Sequence, residues 1–346
     1  MQSRARKVLC VTYTNAAVDE IKRRLDKFTD HVEVYTIHGF IIEHIIQPFQ
    51  QDLRDIIESD FGITVKSEGK ISSQVEGLGI LHGVDKEEIY DFVRQTNPVE
   101  FANDEFEYSK KAMGDIEVNC SAFAASISNR TTRQIELKAP SKIDGRHVKP
   151  IKKYIWSVVK KLTHNEILYF GYRILESNPT AVYSIRVKFP FMLVDEFQDT
   201  NPLQTSLIKL IGQKSTIIGI VGDVAQSIYS FQGARPTDFK NFSIEGDREL
   251  KEYVINGNRR STENIVNFCN FLRQSDDEVL QLSQRPYNTA GEKEQAEAKK
   301  IHFLIGNSQI IYNTIQSILN DGGVVLTRAW AAAFDYMLSL LLPLNL

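Results

Sequence analysis

The sequence has few of the features that mark secreted, disulfide-stabilised or generally basic proteins. Its 346 residues include three cysteines, Cys10, Cys120 and Cys269, which are too few and too far apart for a disulfide framework or a CxxC metal knuckle. Lysine and arginine number 41 against 44 aspartates and glutamates, so the net charge of −3 excludes a protein that binds nucleic acid through overall basicity. A local basic groove remains compatible with this balance.

The sequence also lacks a long uninterrupted apolar run. Residues 329–346 are the most apolar stretch, but Asp335, Ser339 and Asn345 interrupt them, and a bilayer span needs about 20 residues. A core helix is therefore expected there. The basic residues 1–7 are followed by no small-residue cleavage site of a signal peptide. Together these absences predict a cytoplasmic protein with no membrane partner.

Hydrophobic patterning predicts an α/β fold with a long insertion. Residues 7–12 form a continuous apolar run, typical of a strand buried on both faces, and residues 32–35 form a second strand. Between them, apolar residues at spacings of three and four predict a helix with Thr14 or Asn15 as its N-cap and with Val18, Ile21, Leu25 and Phe28 on one stripe. Residues 41–163 are mostly helical in pattern and carry no recognisable chemical motif.

Strands alternate with helices again after residue 189. Short runs rich in β-branched residues predict strands over residues 191–194, 216–221, 253–255, 301–305 and 324–326. Helical stripes lie between most of them, as expected for a parallel sheet that is covered by helices on both faces.

Two adjacent carboxylates, Asp195 and Glu196, follow the predicted strand at residues 191–194. In open α/β sheets, ligands bind at the carboxyl ends of the strands. One carboxylate there can hold Mg²⁺, and its neighbour can take a proton from an attacking water. An acidic helix N-terminus, which the helix dipole favours, is the alternative interpretation of the same pair.

A second strand, over residues 216–221, favours the chemical interpretation because it also ends in polar residues. Gly222 and Asp223 follow it, and Gln226 comes three residues later, where its amide could sense a phosphate. Tyr229 and Phe231 lie in the same polar loop and could stack on nucleic-acid bases, although core packing is the alternative.

These segments and three others resemble the motifs of the UvrD/Rep family of superfamily 1 DNA helicases. VDEFQDTN and GDVAQSIYSFQGA are similar to motifs II and III of that family. TYTNAA at residues 12–17 resembles its TFTNKAA motif, and YTIHGF at residues 35–40 resembles TFHxF. NRRSTENI at residues 258–265 resembles motif IV, NYRSTxNI, and VVLTR at residues 324–328 resembles a strand of the second motor domain.

The resemblance implies a RecA-like, P-loop NTPase motor that couples hydrolysis of ATP to 3′-to-5′ travel along single-stranded DNA. By this likeness, Asp195 holds Mg²⁺, Glu196 activates the hydrolytic water and Gln226 senses the γ-phosphate. Arg260 acts as an arginine finger from the second domain, and Arg259 stands where the family stacks a tyrosine on adenine. The implied DNA path is lined by Thr12, Tyr13, His38, Tyr229 and Phe231.

Several family features are missing from these residues. Gln232 replaces the arginine of RGA, and Asn15 is followed directly by Ala16 instead of the lysine of TNKAA. No GxxxxGK[ST] phosphate loop is present, and the family carries that loop just before TFTNKAA. The resemblance therefore predicts a helicase chain truncated at both ends and inactive alone. Its first motor domain is expected over 1–44 and 164–250, the helical insertion over 45–163, and the start of a second motor domain over 251–346.

Two other functions stay open at this point. The chain could be an ATPase-inactive, helicase-like module that binds DNA or regulates a partner. It could also belong to a helicase that works with a nuclease or a repair partner. The presence of Asp195, Glu196, Gln226 and Arg260 favours the enzyme, because a pure binding module has no chemical need for them.

Overall fold

The chain alternates strands and helices on both sides of a long, mostly helical middle part. The computed structural model describes residues 6–66, 68–73, 79–228, 233–245, 250–273, 279–299 and 317. Its strands are β1 (Val8–Thr12), β2 (Val32–Thr36), β3 (Ser72–Ser73), β4 (Glu117–Val118), β5 (Leu137–Lys138), β6 (Lys161–Leu162), β7 (Phe191–Val194), β8 (Ile217–Ile220), β9 (Gly257–Asn258) and β10 (Leu282–Ser283). Its helices are α1 (Asn15–Leu25), α2 (Ile37–Ile41), α3 (Gln50–Phe61), α4 (Lys86–Thr96), α5 (Pro98–Phe101), α6 (Lys110–Gly114), α7 (Cys120–Ser128), α8 (Gly145–Tyr154), α9 (His164–Ser177), α10 (Pro179–Lys188), α11 (Pro202–Gly212), α12 (Pro236–Lys240), α13 (Glu263–Leu272) and α14 (Ala290–Glu297).

The predicted parallel sheet is present, with the strand order β2–β1–β7–β8. Val8 of β1 lies opposite Val32 of β2 and Phe191 of β7, and Phe191 lies opposite Ile217 of β8. Every pairing in this sheet is parallel, so all four strands present their carboxyl ends at one edge. This confirms the α/β class that the spacing of apolar runs predicts.

The first strand–helix unit forms for the local reasons that the sequence suggests. The Thr14 hydroxyl accepts a hydrogen bond from the backbone N–H of Ala17 at 3.2 Å, so Thr14 is the N-cap of α1. Val18 is buried on the inner face of this helix. The α-helix ends at Leu25, and the backbone continues as a 3₁₀ helix over Asp26–His31.

The sheet is covered unevenly. Met192 and Val194 of β7 point into a core formed with α9 and α11, while Phe191 and Leu193 on the other face are 46% and 45% exposed. Ile217 of β8, beside Phe191, is 53% exposed. Helix α1 packs on β1 and β2 only. The prediction that helices cover both faces is therefore wrong for β7 and β8 as far as the described residues go.

Strand β8 is an edge strand of the described sheet. Ile217 donates its N–H to Pro190 and Val221 donates its N–H to Val194, so these residues bond towards β7. Because backbone groups alternate in direction along a strand, the N–H groups of Ile218 and Ile220 point to the other side. None of the described strands pairs there.

A buried ion pair joins helices α8 and α9. Lys152 of α8 and Glu166 of α9 are both fully buried, and their charged atoms lie 2.5 Å apart. Lys152 also donates to the Ile116 carbonyl oxygen at 2.7 Å, while Glu166 accepts hydrogen bonds from the Trp156 indole and the Thr163 backbone. Burial lowers the pKa of Lys152, and the charge of Glu166 opposes that shift.

The chain divides into two compact units between Glu252 and Tyr253. In the second unit, β9 and β10 pair in parallel beside α13. The strand predicted at residues 253–255 is wrong: Tyr253, Val254 and Ile255 are 83%, 70% and 75% exposed and pair with no described strand. The strands predicted at residues 301–305 and 324–326, and the apolar segment 329–346, lie outside the described residues.

None of the helices in the described part of the chain is long and apolar enough to cross a membrane. Cys10, Cys120 and Cys269 are all free thiols, in agreement with the expectation from their number and spacing.

Candidate functional site

The carboxyl edge of the four-stranded sheet brings most of the predicted site residues together. Thr12 ends β1, and Tyr13 follows it. His38 lies in the first turn of α2, just after β2, and the pair Asp195–Glu196 follows β7. Because the strands are parallel, side chains that are far apart in sequence meet at this edge.

The acidic pair is fixed by backbone hydrogen bonds on both sides. The Asp195 N–H donates to the Val11 carbonyl oxygen at 2.8 Å, and the Phe197 N–H donates to Val221 at 3.0 Å. Between them, Glu196 adopts a left-handed backbone conformation with φ of 52°. Non-glycine residues rarely adopt this conformation, and such strain clusters at functional sites. The backbone therefore turns at Glu196, directly after β7, where the two adjacent carboxylates lie at the sheet edge.

A buried glutamine links Glu196 to the next strand. The Gln198 Nε2 donates to a Glu196 carboxylate oxygen at 2.7 Å, and its Oε1 accepts the backbone N–H of Asp223 at 3.1 Å. Gln198 is completely buried, so both hydrogen bonds are partly shielded from water. The Gln198 side chain thus connects the ends of β7 and β8. Although Gln198 belongs to the VDEFQDTN segment, the sequence alone does not indicate this role.

Gly222 is required at the end of β8 because Gln198 approaches it closely. A Cβ atom at this position would collide with the Gln198 Oε1 and would lie 3.3 Å from the backbone nitrogens of Phe197 and Gln198. Backbone atoms cannot move aside as a flexible side chain can. A residue other than glycine here would displace the glutamine that orients Glu196.

The environment raises the pKa values of two carboxyl groups at this edge. Partial burial and, to a smaller extent, the charge of Glu196 raise the pKa of Asp195, although the Glu196 backbone N–H opposes the shift. Burial and the charge of Glu196 likewise raise the pKa of Asp199. One Asp199 carboxylate oxygen is buried without a hydrogen-bond partner among the described residues. Negative charge is thus concentrated here, which favours a bound cation.

Gln226 is placed near the acidic edge by the loop after β8. Its Nε2 donates to the Asp223 carboxylate at 2.8 Å, while the Asp223 backbone N–H is bonded to Gln198. A chain of side-chain and backbone contacts therefore runs from Glu196 through Gln198 and Asp223 to Gln226.

Two predicted DNA-path residues share a small recess with the acidic pair. Thr12, Tyr13, Asp195 and Glu196 line a cavity of about 10 Å³ together with buried groups of the helix that follows β7. Thr12 is 2% exposed, and its hydroxyl oxygen has no hydrogen-bond partner among the described residues. The ends of β1 and β7 therefore lie side by side at this point.

His38 is held in a neutral form. Its ring packs edge-on against His164, with 4.8 Å between the ring centroids. Burial, and next the neighbouring His164, lower its pKa to about 4. Its Nε2 atom is buried and has no hydrogen-bond partner in the described structure. At neutral pH, His38 can therefore donate or accept a hydrogen bond or stack, but it carries no charge.

Arg259 and Arg260 lie in the second unit, in the turn between β9 and α13. The Asn258 side-chain oxygen accepts the backbone N–H groups of Arg260 and Ser261 at 3.0 and 2.9 Å. This turn fixes the backbone and leaves both arginine side chains exposed. The predicted contacts Tyr229 and Phe231 lie outside the described residues, as do Gln232 and Arg328.

The described residues fit a magnesium ion that takes few ligands from the protein. No group of three or more His, Cys, Asp or Glu in the described part of the chain could enclose a metal ion. Mg²⁺, however, usually keeps several waters and binds through one or two carboxylates plus phosphate oxygens. The Asp195 carboxylate, which is only partly buried, can supply one such ligand.

Comparisons with known proteins agree with this geometry. The family model of the UvrD/REP helicase N-terminal domain matches residues 1–246. A probable DNA helicase II homolog of Mycoplasma capricolum is 25% identical over 267 residues, which cover 76% of this chain and 34% of that protein. The ATP-dependent DNA helicase PcrA of Staphylococcus aureus is 29% identical over 303 residues, which cover 83% of this chain and 36% of the relative. PcrA of Leuconostoc citreum is 27% identical over 157 residues, or 44% of this chain and 21% of that protein.

The chain thus spans about a third of the length of the relatives that it matches over most of its own residues. The parallel sheet, the acidic pair after β7 and the matched family model agree with one another over the first unit. The α/β fold is that of a RecA-like helicase motor domain, and the chain belongs to the UvrD/REP family of DNA helicases.

Proposed function

We propose that residues 1–346 carry part of an ATP-dependent helicase motor that travels 3′ to 5′ along single-stranded DNA. One observation carries the proposal: the acidic pair Asp195–Glu196 and the residues Thr12 and Tyr13 line the same recess at the carboxyl edge of the sheet. A motor of this kind must couple ATP hydrolysis to DNA binding. Residues proposed for both tasks line one recess, which provides a direct mechanical link between them.

In this proposal Glu196 is the general base. Gln198 donates a hydrogen bond to one of its carboxylate oxygens, which fixes the orientation of the group and leaves the other oxygen to accept a proton from water. The two acids can thus serve different roles although they are adjacent in sequence.

Asp195 would hold the magnesium ion that accompanies ATP, and the bound ion would supply neutralisation of phosphate charge. Gln226 would report the state of the γ-phosphate, since its contact with Asp223 leads back to Gln198 and Glu196. Arg260 would stabilise the charge of the transferred phosphoryl group, and the Arg259 guanidinium would stack on adenine.

On the DNA side, Thr12, Tyr13, His38, Tyr229 and Phe231 would contact the single strand. Stacking of bases on aromatic rings contributes about 1–3 kcal/mol per base and does not depend on sequence. The neutral form of His38 suits a stacking or hydrogen-bonding contact better than a phosphate contact. We place this activity in DNA repair, recombination or defence in the cytoplasm, with a nuclease or repair protein as a partner.

The domain assignment is part of this proposal. The first motor domain would comprise residues 1–44 and 164–250, the insertion residues 45–163, and the start of a second motor domain residues 251–346. ATP hydrolysis would also need a phosphate-binding loop, and residues 1–346 contain no GxxxxGK[ST]. Residues 1–346 alone are therefore expected to hydrolyse little or no ATP, even with single-stranded DNA.

The test is hydrolysis of ATP by the full natural polypeptide that contains these residues. Loss of a general base typically costs about 10²- to 10⁴-fold, so Glu196→Gln is expected to abolish DNA-stimulated hydrolysis while nucleotide binding persists. Asp19→Asn, which neutralises an exposed carboxylate on α1, is the matched control and should leave the rate unchanged. A Glu196→Gln enzyme that hydrolyses ATP at the wild-type rate would contradict the assignment.

The alternative to this enzyme is an ATPase-inactive module that binds DNA. The same experiment separates the two functions. A full polypeptide that binds single-stranded DNA but hydrolyses no ATP under any condition would support the module.

A further inference from the structure

Two loops meet at the carboxyl edge of the sheet. The β7 loop, residues 195–201, carries the acidic pair. The β8 loop, residues 221–235, carries Gln226 together with the predicted DNA contacts Tyr229 and Phe231. A contact between the two loops can therefore transmit a change at the DNA to the proposed base.

Backbone hydrogen bonds hold the β8 loop to the β7 loop at both of its ends. The Phe197 N–H donates to the Val221 carbonyl oxygen at 3.0 Å, and the Arg235 N–H donates to the Thr200 carbonyl oxygen at 3.3 Å. Just beyond the loop, the ring of Phe242 packs edge-on against that of Phe197, with 5.1 Å between the centroids. Because both ends are anchored, a contact near the middle of the β8 loop can position the residues between them.

Asp199 provides such a contact from the β7 loop. The residue is 8% exposed, and its backbone N–H donates to the Glu196 carbonyl oxygen at 3.0 Å. Burial and the charge of Glu196 raise the pKa of the Asp199 carboxyl group, whereas the backbone N–H of Ile228 lowers it. The Ile228 N–H therefore lies beside this carboxylate. Asp199 thus contacts both the backbone of the proposed base and the β8 loop.

Asp199 and Ser227 each hold a buried polar atom without a partner. One carboxylate oxygen of Asp199 and the hydroxyl of Ser227 have no hydrogen-bond partner among the described residues. Ser227 immediately precedes Ile228, so covalent geometry keeps its hydroxyl within a few ångströms of the nitrogen that lies beside the carboxylate. A hydroxyl donates and an ionised carboxylate accepts, so the two groups are complementary. Unpaired buried polar groups are unfavourable, and a small shift of the β8 loop would pair them.

The other described hydroxyl group of the two loops is already engaged. Thr200 donates its hydroxyl hydrogen to the Phe197 carbonyl oxygen at 2.7 Å, and the Thr205 hydroxyl lies 3.3 Å from that of Thr200. Among the hydroxyl groups that the structure describes in these loops, Ser227 is therefore the one left to donate to Asp199.

We propose that Asp199 is a positioning residue that couples the β8 loop to Glu196, and that the Ser227 hydroxyl donates to its second oxygen when single-stranded DNA binds the loop. The inference rests on the proposed function and deepens it, because it names the contact through which DNA accelerates hydrolysis. Neither side chain touches the reacting atoms. The Ser227 hydrogen bond draws the β8 loop onto Asp199, and the hydrogen bond from the Asp199 N–H to the Glu196 carbonyl oxygen passes this constraint to the base.

The test measures ATP hydrolysis by the full natural polypeptide with and without oligothymidine. The ratio of the two rates is the readout, because it reports the coupling and does not depend on the amount of active protein. Loss of a positioning contact costs about tenfold or more, so Ser227→Ala and Asp199→Ala should each lower this ratio by about that factor. The double variant Ser227→Ala/Asp199→Ala should resemble Asp199→Ala, since both changes remove the same hydrogen bond.

Ser227→Thr and Ser206→Ala are the controls. Ser227→Thr keeps the hydroxyl on a backbone whose extended conformation suits threonine, and it should retain the wild-type ratio. Ser206 is partly buried, as Ser227 is, but its hydroxyl donates to the Pro202 carbonyl oxygen of its own helix at 2.8 Å. Ser206→Ala should therefore leave the ratio unchanged. If Asp199→Ala does not fold, the comparison of Ser227→Ala with Ser227→Thr still decides.

Three results would overturn the coupling and leave the proposed function in place. They are a wild-type ratio in Ser227→Ala, losses that multiply in the double variant, and a wild-type rate of hydrolysis that DNA does not change. If the wild-type polypeptide hydrolyses no ATP under any condition, the proposed function itself fails, and this result is distinct from the other three.

Discussion

The buried pair of Lys152 and Glu166 gives a prediction that can be worked out in detail. Glu166→Gln keeps the shape of the side chain and removes its charge. The amide oxygen of the new residue can still accept the hydrogen bonds from Trp156 and Thr163 that Glu166 now accepts. The amide NH₂ group would then face the Lys152 ammonium, so two donors would meet where an ion pair lies 2.5 Å apart.

Removal of one partner from a buried pair leaves an uncompensated charge and costs about 3–5 kcal/mol. Domains are stable by about 5–15 kcal/mol, so the variant should lose a large part of its free energy of unfolding. In Lys152→Met/Glu166→Gln no charge stays buried and the hydrogen bonds to Trp156 and Thr163 are kept. The double variant is therefore expected to lie within about 1–2 kcal/mol of wild type, since apolar replacement of buried pairs is often neutral.

Urea unfolding followed by tryptophan fluorescence measures these differences. Trp156 is fully buried and donates to Glu166, so it reports on the site directly, and Trp330→Phe removes the other tryptophan. In Glu166→Gln the unpaired Lys152 has a lowered pKa in the folded state. Between this lowered pKa and the normal lysine pKa, the unfolded state therefore binds more protons than the folded state. Stability should therefore rise with pH, by up to about 1.4 kcal/mol per pH unit, until Lys152 is neutral in both states. A loss under about 1 kcal/mol that does not change with pH, or an equal loss in the double variant, would refute the reasoning.

Three further predictions follow from the site. Burial lowers the pKa of His38 to about 4 from an unfolded value near 6.5, so the free energy of unfolding should fall by up to about 3 kcal/mol as the pH decreases through that window. A series of urea midpoints measured at different pH values should show this dependence, and His38→Asn should reduce it. Gly222→Ala should destabilise by about 1–3 kcal/mol because its Cβ meets backbone atoms, whereas Gly219→Ala meets only the terminal methyl of Leu193, 2.7 Å away, and should cost less in the same assay. Gln198→Ala should lower DNA-stimulated ATP hydrolysis by the full polypeptide about tenfold or more, because it removes the group that orients Glu196. The affinity for DNA should change little. Equal losses of ATP hydrolysis and DNA affinity would indicate unfolding instead.

The sequence predicts the sheet well because its strands are continuous apolar runs with polar residues at their ends. The order of the motifs along the chain locates Asp195 and Glu196, and Thr14 is one of the two N-caps expected for α1. Tyr253, Val254 and Ile255 were predicted as a strand because composition alone cannot show that an apolar run has no partner. The two-residue strands of the insertion are too short to produce any periodicity.

The parts of the site that escaped prediction depend on contacts between distant residues. Gln198 acquires its role from the backbone of Asp223, which follows another strand, and nothing near Gln198 in the sequence indicates that contact. Local pattern reveals strands and motifs, whereas folded topology decides which polar groups meet.

The open side of β8 has a consequence for handling the protein. Its outward-facing backbone groups, which pair with none of the described strands, lie beside the exposed side chains of Phe191, Leu193 and Ile217, and edges of this kind are templates for pairing with another chain. Residues 1–346 expressed alone should therefore self-associate through this edge as their concentration rises. Charged replacements such as Ile217→Lys should restore the monomer, because a lysine on an edge strand opposes strand addition. The solubility of residues 1–346 thus indicates whether another strand pairs with β8.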